Sequence, residues 1–82
     1  MKLPRDVSGH ELAKVLRRYG YEVVRQSGSH IQLTTNILGT SHSITVPAHR
    51  FLKVGTFHSI LSRVAIYLKM DRSELIKELF HT

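Results

Sequence analysis

Two stretches of helical spacing enclose a stretch of alternation, and that order limits this chain more than any single residue does. Ser8 followed by Glu11 fits a capping box. Leu12, Val15, Leu16 and Tyr19 then recur at the spacing of one helix face, with Lys14, Arg17 and Arg18 on others. Gly20 stands where a left-handed terminal residue is wanted. The spacing predicts a helix over 8–19. Residues 21–26 are rich in strand formers, and Ser27 and Gly28 signal a turn. Residues 29–34 alternate polar and apolar, so the two runs read as a hairpin. A loop with Asn36 and Gly39 follows, then a short third strand over 43–46, stopped by Pro47. Residues 48–55 read as irregular. A second helix is expected after Gly55, with Thr56 as its N-cap and Phe57, Ile60, Leu61, Val64 and Leu68 as its apolar stripe. Asp71 is expected to cap a third, short helix, with Glu74 at its third position and Leu75, Ile76, Leu79 and Phe80 buried.

The order α-β-β-β-α plus a terminal helix gives an α+β class: a three-stranded antiparallel meander with helices on one face. The other face is left to solvent or to a partner. The 82 residues contain no repeat and no Pro/Gly/Ser linker, so one domain over 1–82 is expected. A chain this short buries little more than about 60% of the surface its unfolded form exposes, which excludes a deep active site. No run approaches the roughly 20 apolar residues of a membrane span. The opening Met1, Lys2, Leu3, Pro4, Arg5, Asp6 lacks a leader's apolar run. With no Cys, disulfides, zinc ribbons and thiol nucleophiles are excluded, and the cytoplasm is the expected compartment.

Charge narrows the partner. Twelve Lys and Arg against six Asp and Glu leave a net charge of +6. All the acids lie near the ends. Between residues 23 and 70 there is no Asp or Glu, while Arg25, Arg50, Lys53, Arg63, Lys69, His30, His42, His49 and His58 all fall there. A surface of this kind attracts anions and is the electrostatic footprint of nucleic-acid binders, although small basic domains also exist for solubility alone.

His30 is the residue on which chemistry can rest. Ile31 and Leu33 are the apolar members of their strand, so His30, Gln32 and Thr34 face the open side. Histidine exchanges a proton near physiological pH, which suits it to general acid or base work. Spacing alone also allows a plainer reading, one surface histidine among six. The helix expected at Thr56, with Lys53 just ahead and His58 in its first turn, offers a place for a phosphate, or is simply an ordinary N-cap. His30, His42, His49 and His58 match no tight metal-ligand spacing, and no carboxylate stands among them, so no metal and no cofactor is expected. A two-metal nuclease is not expected, on the same ground.

Three motifs in order carry a resemblance. Gly28-Ser29-His30, then Ile44-Thr45-Val46-Pro47-Ala48-His49, then Gly55-Thr56-Phe57-His58-Ser59-Ile60-Leu61 resemble the HicA (YcfA-like) toxins of bacterial toxin–antitoxin systems, and Arg25-Gln26 ahead of the glycine is also typical. The resemblance spans residues 8–80. It implies a double-stranded-RNA-binding-domain-like fold and a ribonuclease that cuts messenger RNA and arrests translation. The family's catalytic histidine maps onto His30, and the implied partner is a HicB-type antitoxin that occludes it. Around His30, the residues expected to hold RNA are Arg25, Gly28, Ser29, His49, Arg50, Lys53, Thr56 and His58. In two respects the sequence departs from the family pattern. The position after Phe57, often Lys or Arg in such proteins, is His58, and the loop over 48–55 carries fewer Lys. A second catalytic group is needed beside His30, and His49, His58 and Arg25 stay open for that role. The alternative class is a double-stranded-RNA binder without catalysis.

Overall fold

A computed structural model describes residues 7–80; the opening segment Met1 to Asp6, discussed above for leader features, lies outside the described residues. The element order is α1 (Gly9–Leu16) continued by a 3₁₀ turn (Arg17–Tyr19), β1 (Glu22–Ser27), β2 (His30–Thr35), β3 (His42–Pro47), α2 (Val54–Leu68) and α3 (Arg72–Phe80). The strands form one antiparallel sheet in the order β1-β2-β3. This is the expected α+β architecture, and it is compatible with a double-stranded-RNA-binding-domain-like fold.

Local chemistry explains the elements. Ser8 caps α1: its hydroxyl accepts from the Glu11 N–H at 3.0 Å, and Glu11 Oε1 accepts from the Ser8 N–H at 2.9 Å. These hydrogen bonds hold the Glu11 carboxyl below its usual range. Gly20 ends the turn with φ +80°, the left-handed region that favours glycine. Asp71 caps α3 through a Ser73 N–H to Oδ2 bond of 3.0 Å. The Arg18 guanidinium donates to the Glu78 carbonyl and so ties the turn after α1 to α3.

The start of α2 differs from the sequence expectation. The helix begins at Val54, and Lys53 is its N-cap in an extended conformation, with no side-chain cap. Thr56 is therefore a residue of the first helical turn and not the cap. The first intrahelical bond runs from the Phe57 N–H to the Lys53 carbonyl, so the helix closes one turn earlier than a Thr cap allows.

One core joins the layers. Leu12 and Leu16 of α1, Ile31 and Leu33 of β2, Ile44 and Val46 of β3, and Phe57, Ile60, Leu61 and Val64 of α2 are all buried, with Leu75, Ile76 and Leu79 of α3. Burying side chains of this size is worth about 1.5–3 kcal/mol each against leaving them exposed. β1 is the exception, exposed along its whole length. Its Val23 lies opposite Leu33, on the core side, yet stays 53% exposed at the sheet edge.

Gly9 fixes how the start of α1 meets the end of β3. A Cβ there would stand 1.8 Å from the Pro47 carbonyl oxygen, so only glycine fits. Its N–H donates to the His49 carbonyl at 2.9 Å, and the Leu52 N–H donates to the Val7 carbonyl at 2.9 Å. The segment after β3 is thus stitched to the start of α1 although it has no regular structure. Among the described residues no helix is long and apolar enough to cross a membrane.

Candidate nucleic-acid interface

The open face of the sheet is polar, and strand parity decides its membership. In β2 the residues alternate: Ile31 and Leu33 are buried, while His30 and Gln32 are exposed. Register places Ser27 and Pro47 on either side of His30, and Arg25 and Thr45 on either side of Gln32. Arg25, Ser27, His30, Gln32 and Thr45 together line a shallow cleft. Above it, Thr34 Oγ1 and Ser43 Oγ share a 2.8 Å hydrogen bond.

A bulge in β1 puts Arg25 there. Val23 pairs with Leu33, but Arg25 pairs with Gln32, so two steps along β1 match one along β2. Regular pairing would put Val23 and Arg25 on the same side. The extra residue at Val24 turns Arg25 onto the open face, a common use of bulges beside functional sites. The guanidinium so delivered carries a permanent charge and a fork of donors suited to phosphate. No carboxylate lines the cleft. By register the acid nearest to it on this face is Glu22, opposite Thr34. Thr34 is four residues from His30 along β2, about 13 Å of strand.

The turn before His30 is anchored. Gly28 takes φ +56° with open space around it, and the Ser29 carbonyl accepts from the Ala48 N–H at 2.6 Å. That bond sets residues 48–53, and with them exposed His49, Arg50 and Lys53, at the same end of the sheet as His30. None of those three lines the cleft, nor do Thr56 and His58. His58 is half-buried and edge-on to Phe57, with centroids 5.7 Å apart, and its Nδ1 is buried without a hydrogen-bond partner.

The structure therefore brings Arg25 and His30 together and leaves His49, Arg50 and Lys53 as an exposed basic border at that end. It adds Ser27 and Thr45, which strand parity could have given, beside Gln32, which the alternation of β2 already placed on this face. Among the described residues no three His, Asp or Glu side chains group as a metal site would require.

The family model described as the HicA toxin of bacterial toxin–antitoxin matches residues 9–66, from the first residue of α1 into the last turns of α2. The chain belongs to the HicA toxin family. Family membership makes it the toxin of a toxin–antitoxin system, with an antitoxin as its partner. The match takes in the whole sheet, His30 included, and stops before α3. No curated protein and no solved structure matches the chain.

Proposed function

We propose that this HicA-family toxin is a metal-independent endoribonuclease that cuts messenger RNA and so arrests translation, with His30 as the general base. The observation that carries the reading is the pairing of an exposed imidazole with a guanidinium in one cleft free of carboxylates. RNA brings its own nucleophile. His30 takes the proton of a ribose 2′-OH, and the oxygen attacks the adjacent phosphorus and expels the 5′-oxygen. Arg25 holds the phosphate and stabilises the charge that develops on it; a guanidinium keeps its protons, so it does not serve as the acid. His49 and His58 do not line the cleft, so the second role falls to water, which protonates the departing 5′-oxygen. The products are a 2′,3′-cyclic phosphate and a 5′-hydroxyl. General base catalysis of this kind is worth about 10²–10⁴ in rate.

Lys53, Arg50 and His49 hold flanking phosphates, and the N–H groups at the start of α2, which no side chain caps, add to their pull. A HicB-type antitoxin inhibits by covering the open sheet face and occluding His30. The cytoplasm, where messenger RNA is found, is the site of action.

The test is cleavage of a long RNA by purified wild type and His30→Ala, with and without EDTA. Wild type is expected to cleave in both conditions and to leave cyclic-phosphate ends, while His30→Ala cleaves in neither. A strict need for added divalent ions overturns the mechanism. A salt-sensitive gel shift by both proteins without cleavage by either moves the chain to the double-stranded-RNA-binding class.

A further inference from the structure

Phe51 is an exposed aromatic ring in a basic setting, outside the cleft of His30. It lies in the segment between β3 and α2 and is 57% exposed. Its neighbours hold it there. Leu52 is buried, and its N–H is tied to the Val7 carbonyl; the His49 carbonyl is tied to the Gly9 N–H. With Leu52 committed to the core and the backbone hydrogen-bonded on both sides, Phe51 points outward because the loop directs it so. The Arg50 guanidinium carbon stands 5.7 Å from the ring centroid, a cation–π contact. Lys53 and the 67%-exposed Val54 follow after Leu52.

We propose that Phe51 is a stacking platform for one unpaired base of a single-stranded RNA, an inference that rests on the ribonuclease reading above. Every base offers a π-face, so an exposed ring gains affinity for unpaired RNA whatever its sequence. Arg50 covers part of the ring and supplies the charge for the adjacent phosphate, and no Asp or Glu between residues 23 and 70 opposes it. The position fits the chemistry. Pro47 lies opposite His30, and Phe51 is four residues further on, at most about 14 Å of chain. A strand threaded past His30 reaches the ring within a few nucleotides. A duplex cannot use such a platform, because its bases are already stacked and A-form helices are read by shape and phosphates. The basic company of the ring favours nucleic acid over an apolar side chain of a protein partner.

The chain contains no Trp, so Phe51→Trp introduces a single fluorescent reporter at the proposed contact. The measurement uses the full chain carrying His30→Ala, which stops cleavage. It is titrated with a single-stranded oligouridylate and with an RNA duplex of equal length. Single-stranded RNA should quench the indole. Phe51→Ala should weaken single-strand affinity by about 5- to 150-fold and change duplex affinity by less than about twofold, and Phe51→Trp should restore the single-strand value. Single-strand affinity left unchanged by Phe51→Ala overturns the platform, while leaving the ribonuclease reading standing. An equal loss for both RNAs also overturns it, since the loop itself would then be at fault. No RNA binding at all by the protein with Phe51 intact sinks the ribonuclease reading first, and the platform with it.

Discussion

His30 and His42 open neighbouring strands of one sheet and have opposite fates. Because β2 and β3 run antiparallel, His30 faces Pro47 at one end of the pair and His42 faces Thr35 at the other. Parity separates them further: His30 shares the open face with Gln32, and His42 shares the core side with Ile44 and Val46. At the His42 end the ring is built in. The Tyr21 hydroxyl and His42 Nδ1 share a 2.7 Å hydrogen bond, and the imidazole stacks on Tyr67 with centroids 4.7 Å apart and planes 8° from parallel. Tyr67 in turn accepts from the Leu38 N–H at 3.0 Å and donates to the Thr40 carbonyl at 2.6 Å, which clamps the loop between β2 and β3. Burial, with the Arg63 charge nearby, lowers the His42 pKa, and burial pushes the Tyr21 hydroxyl up to about 12. Both groups are therefore neutral at physiological pH. The same residue type is built into the structure at one end of the sheet and is exposed to solvent at the other.

The comparison can be broken most forcefully at Gly9. Gly9→Val should cost about 3 kcal/mol or more, because the side chain must displace the Pro47 carbonyl opposite His30. Thermal melting should show the loss, and cleavage should fall with it, since the His30 end is built on that contact. His42→Ala should cost about 1–3 kcal/mol by leaving the buried Tyr21 hydroxyl without its hydrogen-bond partner. Its cleavage rate per folded molecule should match wild type. A loss of activity without a loss of stability would put His42 in the catalytic site. Tyr67→Phe is milder, about 1 kcal/mol, and should appear as faster amide exchange at Leu38.

The smallest effect is in pH. The unfolded imidazole at 42 titrates near 6.5 and the folded one lower, so the unfolded chain binds the proton more readily. Stability should then fall as pH drops from 6.5 through the folded value. At the alkaline side the folded Tyr21 keeps its proton to about 12 while the unfolded one loses it near 10, so stability should fall across that interval. Denaturant midpoints against pH check both slopes: His42→Ala should flatten the acid limb and Tyr21→Phe the alkaline one.

What could be read from the sequence was whatever depends on neighbours along the chain. The Ser8–Glu11 box, the Gly20 stop, the hairpin and the alternation that turns His30 outward all follow from spacings of a few residues. Contacts between distant residues could not be read. Nothing local announces that Gly9 must lie against Pro47, that the Tyr21 hydroxyl meets a ring twenty-one positions away, or that Val24 bulges and so delivers Arg25 to the face of His30. The start of α2 departs from the sequence expectation for a different reason. Thr56 is a good cap by type, but Gly55 and Val54 fit the first turn as well, and the tethers of Leu52 and His49 decide where the helix begins.

The central claim is that the two histidines divide structure from chemistry, and one assay addresses it directly. Wild type, His30→Ala and His42→Ala are incubated with the same end-labelled RNA in EDTA, each with its folded fraction taken from circular dichroism. The account predicts that wild type and folded His42→Ala cleave at similar rates, while His30→Ala is fully folded and slower by about 10²-fold or more. Cleavage by His30→Ala at the wild-type rate would contradict it.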